Sequence, residues 1–393
     1  MPNPMASIWW LLNLWFALTY LLTVLRYLLA WRKLPDYNPL MSGAYCPKKK
    51  LSIIVPARNE AAKLALCLTS ISQQDFPTHL FELLVIDDAS EDGTATIAAS
   101  IAAQHDNFKL ISLGKAGAST QSGHTAYGKK AAIEAGIAAA SGELIVCTDA
   151  DCELPPNWLM LIASFYETKQ AKFIAAPVNF HGEGNWLQRF QSLDFFGMMG
   201  VTGAGFQTGT GLLCNGANLA YPKAVFEEVG GFEGIDGLAS GDDMLLLHKV
   251  AKRYPNQVFF LKNKAATVLT EAQPDLRSFL SQRLRWATKS RSYEDWRVTL
   301  RLVVVFLLCW AILLNGVLAI WFGWPLLAIS LGLLSLKSIV DFFFLREMAT
   351  YFGRMDLMRG YWRSQLMHVA YILVVGTLAN IAKQYEWKGR RVR

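Results

Sequence analysis

Asp149-Ala150-Asp151 closes the apolar run ELIVCTD at residues 143–149. Two carboxylates one residue apart at the end of a buried strand can offer hard oxygen ligands to a divalent cation that bridges to phosphates. The triplet alone is weak, because a chain of ordinary aspartate content often contains one. Its weight comes from company. Asp87-Asp88 ends the run that starts at residue 81, and Pro56-Ala57-Arg58-Asn59-Glu60 ends the run that starts at residue 51. After Asp87-Asp88, the stretch Ala89-Ser90-Glu91-Asp92-Gly93-Thr94 suits a tight turn into a helix. Ser90 and Asp92 read as caps of that helix, whereas the strand-terminal pair reads as ligand contact; the bland alternative is that all these acids cap. The loop at 56–60 can wrap a base and ribose. Lys129 opens a helix, where a cation is unfavourable unless an anion is present. A diphosphate would supply one.

Something must bring these residues together, and the chain between 51 and 270 has the pattern for it. Short apolar strands, LSIIV (51), FELLVID (81), FKLIS (108), ELIVCTD (143) and KFIAAP (172), alternate with Ala-rich helical stretches. That alternation predicts an α/β domain with a mostly parallel sheet. Such sheets bind ligands outside the carboxyl ends of their strands, where the polar residues cluster here.

The chain of 393 residues is long enough for such a domain plus several membrane helices. It is 53% hydrophobic with a mean hydropathy of +0.24, and its apolar residues concentrate at the two ends. The run at 8–30 is long enough to span a bilayer and is interrupted by Arg26. Arg32 and Lys33 follow it, so it is expected to be a retained anchor with its N-terminus outside and the following chain cytoplasmic. An amphipathic stretch at 275–296 precedes further runs at 302–322, 326–345 and 366–382, read as two or three spans. The middle run carries Lys337 and Asp341. Two spans would keep the basic tail, Lys388 to Arg393, cytoplasmic, and three would place it outside. The net charge of +7 lies largely beside the hydrophobic segments, as in Arg32, Lys33, Lys48, Lys49, Lys50, Arg346, Arg354, Arg359 and Arg363. This points to anionic lipid as the partner and away from nucleic acid. Six cysteines lack paired metal-ligand spacing and are expected to be free thiols in a reducing compartment; Cys147 and Cys152, although beside the acidic triplet, are left out of the site.

The motifs IIVPARNE (53–60), VIDDASEDGT (85–94), GKKAAIEAG (128–136), TDADCELPPNWL (148–159), NGANLAYPKAVFEEVGGF (215–232), SGDDMLLLHK (240–249) and QRLRW (282–286) span about 240 residues. In order and spacing they resemble the family 2 glycosyltransferases, the inverting, nucleotide-sugar-dependent group that includes cellulose, chitin and hyaluronan synthases and ceramide glucosyltransferases. The resemblance implies a GT-A, Rossmann-like nucleotide-sugar-binding domain with flanking transmembrane helices. It divides the chain into an anchor (1–32), a cytoplasmic catalytic domain (50–272), an amphipathic interfacial helix (273–299) and a C-terminal membrane domain with basic tail (300–393). Pro56, Ala57, Asn59, Glu60, Asp87, Asp88, Lys129, Asp149 and Arg285 would bind the donor, with Asp87 and Asp88 on the uracil and ribose side. Asp151, with Asp149, would hold Mg2+ or Mn2+. Asp243 is similar to the family's catalytic base; the family more often has Glu before it, which leaves Asp242 as the alternative. Gln282, Arg285 and Trp286 match the Gln-x-x-Arg-Trp element, which in relatives closes over diphosphate and acceptor.

Elementary chemistry agrees with that assignment. An acceptor hydroxyl is a poor nucleophile until a carboxylate takes its proton. The leaving nucleoside diphosphate gathers charge that a cation at Asp151, Arg285 and Lys129 would neutralise. Trp286 offers a flat apolar platform for a sugar ring. On the amphipathic helix Leu276, Phe279, Leu280, Leu284 and Trp286 are expected to bury while Arg285 turns inward. The product that the resemblance implies is a glycolipid made at the cytoplasmic face of the cell (inner) membrane, from a UDP-linked sugar donor and a lipid acceptor. The alternative is a processive synthase acting on a growing glycan, and a remote one is a non-catalytic scaffold or transporter. The apolar segment 182–211 would line an acceptor entrance or serve as ordinary core. The ending Trp387-Lys388-Gly389-Arg390 resembles tails of lipid- and carotenoid-glycosylating relatives.

Overall fold

The structure, a computed structural model, describes residues 4–39, 45–114, 128–234, 241–288, 295–381, 385–387 and 390–392. In chain order its elements begin with α1 (Pro4–Lys33), β1 (Leu51–Ala57), α2 (Leu64–Ser72), β2 (Phe81–Asp87), α3 (Thr94–Ala102), β3 (Phe108–Ser112) and α4 (Lys129–Ala139). They continue with β4 (Leu144–Cys147), α5 (Trp158–Lys169), β5 (Phe173–Ala175), β6 (Val178–His181), α6 (Trp186–Thr208), β7 (Leu219–Pro222) and α7 (Lys223–Glu228). The last are α8 (Asp242–Arg253), β8 (Val258–Phe260), β9 (Val268–Glu271), α9 (Leu276–Thr288), α10 (Trp296–Phe322), α11 (Trp324–Phe352) and α12 (Tyr361–Ile381). Contacts divide the chain into an α/β unit, Pro35–His181 with Leu212–Glu271 and Gln384–Arg393, and a helical unit, Met1–Leu34 with Gly182–Gly211 and Ala272–Lys383.

In the α/β unit seven strands form one sheet in the order β3-β2-β1-β4-β7-β5-β8. All five strands expected from the sequence are present, and the sheet is mostly parallel: β1 runs parallel to β2 and β4, and β2 to β3. β7 is the antiparallel strand, pairing with β4 and β5. β2 and β4 are buried throughout, which is why they read as unbroken apolar runs. Strand order reverses between β1 and β4, so the crevice beyond their carboxyl ends is a topological switch point. α4 lies close against β1 because Gly136 has no side chain; a Cβ there would meet Ile54 Cγ2 at 2.7 Å. Register is locked from within by Glu82 on β2, whose Oε1 accepts from Ser52 Oγ at 2.6 Å, Ser141 N at 2.6 Å and Ser141 Oγ at 2.7 Å.

In the helical unit three helices are long and apolar enough to cross a membrane: Ser7–Lys33, Trp296–Phe322 and Trp324–Phe352. α1 buries one stripe, Tyr20, Val24, Tyr27 and Trp31, and exposes Leu11, Leu14, Leu18, Leu22, Leu25 and Leu29. A leucine face of that length matches lipid as its solvent. α6, the segment with two alternative readings from sequence, packs among these helices. It approaches α1 at Gly203, where a Cβ would meet Trp31 Cζ3 at 2.6 Å. The charges within α11 neutralise each other: Lys337 is wholly buried, with its Nζ 2.6 Å from Asp341 Oδ2 and 2.9 Å from Gln365 Oε1 on α12. Lys388, Gly389 and Arg393 of the basic tail lie outside the described residues.

Candidate active site

β1 and β2 end in register, Ala57 opposite Asp87, and their loops are zipped together. Arg58, buried, donates from Nη1 to Asp88 O at 2.6 Å and Ala89 O at 2.9 Å. Asn59 donates its N–H to Ser90 Oγ at 3.0 Å and accepts Glu91 N–H on Oδ1 at 2.9 Å. Ser90 therefore braces the neighbouring loop, and the helix-cap role expected for it falls to Asp92, whose Oδ1 accepts the first N–H of α3 from Thr94 at 2.9 Å. Asn59 and Ala89 take left-handed φ values of 53° and 52°. Such strain persists where surrounding bonds over-determine the backbone, as Arg58 does here. Asp87 and Asp88 are buried; Asp88 Oδ1 accepts from Gly128 N at 3.1 Å, which ties the end of β2 to the start of α4. Glu60 donates its N–H to Thr94 Oγ1 at 2.8 Å, and Pro56 sits within β1 opposite Ile86.

Lys129, the first residue of α4, reaches across the switch point. Its Nζ is 2.7 Å from Asp149 Oδ1 and 3.7 Å from Asp242 Oδ2. The anion that offsets a lysine at a helix start is thus supplied by the chain's own carboxylates. Burial alone would lower the Lys129 pKa, but the charges of Asp149, Asp242 and Asp243 outweigh it and hold the ammonium well above the ordinary lysine range. Because β7 is antiparallel, the loop before it arrives at the carboxyl end of β4, with Leu219 opposite Cys147. Gly216 in that loop donates its N–H to Asp243 Oδ2 at 3.0 Å. The loop is held by Asn218, fully buried, whose Nδ2 donates to Pro177 O and Ala266 O at 2.8 Å and whose Oδ1 accepts from Trp158 Nε1 at 2.9 Å. Asp242 and Asp243 open α8. Asp242 is buried and Asp243 is half-buried, so Asp243 is the one with an open face.

Asp151 follows on the same loop, which is pinned to β9 by reciprocal backbone bonds between Glu153 and Leu269 at 2.8 and 2.9 Å. Thr270 Oγ1 stands 3.5 Å from Asp151 Oδ2. Lys63, paired with Glu271 at 2.7 Å, is lowered by burial but raised overall by that bond and by the charges of Asp151 and Glu60. Among the described residues no three His, Cys, Asp or Glu side chains form a cation cage. The donor set fits a magnesium-like ion all the same, because such ions take one or two carboxylates and complete their shell with phosphate and water.

In the helical unit α9 carries Gln282, Arg285 and Trp286, all half-buried. The deeply buried residues of this helix are Phe279 and Arg283, whereas Leu276 is half exposed at 50%. That corrects the expectation for Leu276, whereas Leu280 and Leu284 pack as expected against the cluster of Phe190, Phe279, Tyr371 and Val375. Arg283 is drawn in by Asp194 on α6, Nη2 to Oδ2 at 3.0 Å, and by the rings of Trp286 and Phe279 at 4.4 and 5.0 Å. Tyr371 on α12 donates to the other oxygen of Asp194 at 2.9 Å. Arg58, Asn218, Arg283 and Asp194 were not singled out from sequence as site-building residues. The first three lie inside the recognised motifs, which was the available signal; Asp194 had none.

The model of glycosyl transferase family 2 matches residues 52–230, and that of glycosyl transferase family group 2 matches residues 144–378, more than half of the chain. Mannosyltransferase PcManGT from Pyrobaculum calidifontis, solved with GDP-Man and Mn2+, is similar in structure with a TM-score of 0.56 at 19% identity, covering 96% of this chain and 98% of that one. Glycosyltransferase AglE of Haloferax volcanii is 31% identical over 109 residues, 28% of this chain and 33% of the relative. Beta-monoglucosyldiacylglycerol synthase of Trichormus variabilis is 27% identical over 120 residues, 30% of this chain and 24% of the relative. The chain thus spans at most about a third of the length of these two curated relatives. The mostly parallel sheet and the structural likeness show the GT-A fold, accompanied by helices long and apolar enough to cross a membrane. The chain belongs to glycosyltransferase family 2.

Proposed function

We propose that this enzyme transfers a sugar from a nucleotide donor, UDP-linked, to a hydroxyl of a membrane lipid, with inversion, at the cytoplasmic face of the cell membrane. The observation that carries the reading is the convergence of Lys129, Asp149, Asp242 and Asp243 at the switch point. Asp243 takes the proton of the acceptor hydroxyl: its carboxylate is oriented by Gly216 N–H and keeps an open face. Asp242 is buried and faces Lys129, so its role is to hold that cation. The loops after β1 and β2, with Pro56, Ala57, Asn59, Glu60, Asp87 and Asp88, receive the nucleoside. Asp151, with Asp149, would hold Mg2+ or Mn2+, which when bound supplies positive charge to the leaving diphosphate. Lys129 stands next to Asp149; on α9, Gln282, Arg285 and Trp286 have the chemistry for an acceptor, Arg285 suited to a phosphate and Trp286 to a sugar ring.

A lipid acceptor is supported by the leucine face of α1 and by relatives named for lipid products, such as the beta-monoglucosyldiacylglycerol synthase of Trichormus variabilis. The test is mass spectrometry of lipids from cells that express the chain and cells that express Asp243→Asn. A new hexose- or N-acetylhexosamine-bearing lipid in the first and not in the second is expected. A high-mass polymer without a new glycolipid would replace this reading with a processive synthase.

A further inference from the structure

The helical unit contains a cavity of about 540 Å³ along α1 and the start of α10. On α1 its wall is Trp15, Thr19, Thr23 and Arg26, one face of the helix; on α10 it includes Arg297, Leu300, Arg301 and Val304, again one face. Three arginines therefore line one cavity. Among the described residues none of them forms an ion pair and no carboxylate lines the cavity. The nearest acid in sequence, Asp295, accepts from Arg297 N at 3.0 Å on Oδ1 and from Gly211 N at 2.8 Å on Oδ2, and its single negative charge leaves the three arginines in excess. Arg301 is held in place by Thr210 Oγ1 at 3.1 Å and lies over the Tyr27 ring at 5.4 Å.

The charges sit at one end. Arg26 is seven residues before the last residue of α1 and Arg301 five after the first of α10, so both lie within about two turns of a helix end, at headgroup depth. From Arg26 the wall runs roughly 16 Å along α1, past the Thr23 and Thr19 side chains, to Trp15, with Leu300 and Val304 contributed by α10. A cavity with three arginines near one end and Trp15, Leu300 and Val304 among its walls, between helices suited to a bilayer, is complementary to an anionic amphiphile. A free anion would leave those apolar walls unused.

We propose that this cavity binds a phosphate-bearing membrane lipid, with the phosphate held by Arg26, Arg297 and Arg301 and a chain laid along Trp15, Leu300 and Val304. The inference concerns binding and does not depend on which sugar or acceptor the enzyme uses.

Native mass spectrometry of the full-length chain, released from micelles containing phosphatidylglycerol or phosphatidylcholine, tests it directly. The chain should retain phosphatidylglycerol in preference, and R26Q/R297Q should weaken that retention roughly tenfold or more while leaving phosphatidylcholine unchanged. R346Q, which removes a cation outside the cavity, should have no such effect. Thr23→Trp fills the cavity without altering charge and should also release the lipid, so a folding defect in the arginine variant does not decide the matter. Equal retention of the two lipids, unchanged retention in both cavity variants, or displacement of phosphatidylglycerol by equimolar glycerol 3-phosphate would overturn the proposal, the last by showing a site for free anions.

Discussion

The Lys129 ammonium lies 2.7 Å from Asp149 Oδ1 and 3.7 Å from Asp242 Oδ2, so a single cation joins the acid that follows β4 to the acid that opens α8. Lys129→Met would leave Asp149, Asp242 and Asp243 as neighbouring like charges. Transfer is expected to fall by about 100-fold or more. The sign of the pH effect follows from a raised folded pKa: the pair's stabilisation is complete below the unfolded lysine value and is lost as pH rises through the folded one. Melting curves in detergent should therefore show a gap between the wild-type chain and Lys129→Met that is constant from about pH 6 to 9 and closes only in strong alkali.

Asp243 and Asp242 are adjacent but differently placed, and their amide variants should separate. Asp243→Asn is expected to lower kcat by roughly 100- to 10,000-fold with little change in donor KM. Asp242→Asn, which loosens Lys129, should raise donor KM and reduce kcat less. Initial rates over a donor series distinguish the two, and the reverse order would move the base to Asp242.

Much of this was legible in the sequence for a physical reason. Buried parallel strands must be continuous apolar runs, so β1 to β5 announced themselves, and ligands collect at their carboxyl ends, so the acids there stood out. β7 was not legible as a strand: its four residues, Leu219–Pro222, are short and its antiparallel direction depends on its neighbours β4 and β5. The same holds for α9. An amphipathic pattern places Arg283 on the buried side only if something there accepts it, and Asp194 lies 89 residues away. Lys129 was noticed as a misplaced cation, but its partners came from two distant helix and strand ends. Long-range pairing of polar groups has no local period, which is why the strand-end acids stood out in the sequence and the contacts among them did not.

Glu82 makes a prediction about stability alone. Burial would raise its carboxyl, but bonds from Ser52 and from both the backbone and side chain of Ser141 hold it down at about 2. A depressed pKa contributes stability above the unfolded glutamate value, and that contribution is lost as pH falls toward the folded one. Glu82→Gln should cost on the order of 2 kcal/mol near neutrality. Chemical unfolding from about pH 6 down to 3 should show the difference shrinking through the lower part of that range.

Arg283 and Asp194 form a buried pair, each about 95% covered on its side chain. Arg283→Gln and Asp194→Asn should each destabilise the helical unit by about 3–5 kcal/mol, and the double variant by much less than the sum. Arg285→Gln, two residues along the same helix, should reduce transfer. Additive effects of the first two would mean that the pair does not act as one.

The central claim is sugar transfer at the switch-point acids. The purified full-length chain, given radiolabelled UDP-sugars, membrane lipid and Mg2+ or Mn2+, is predicted to form a labelled glycolipid. Asp151→Asn and Asp243→Asn should each cut that product by about 100-fold or more, and a chelator should do so reversibly. Turnover left intact in both variants would contradict the account.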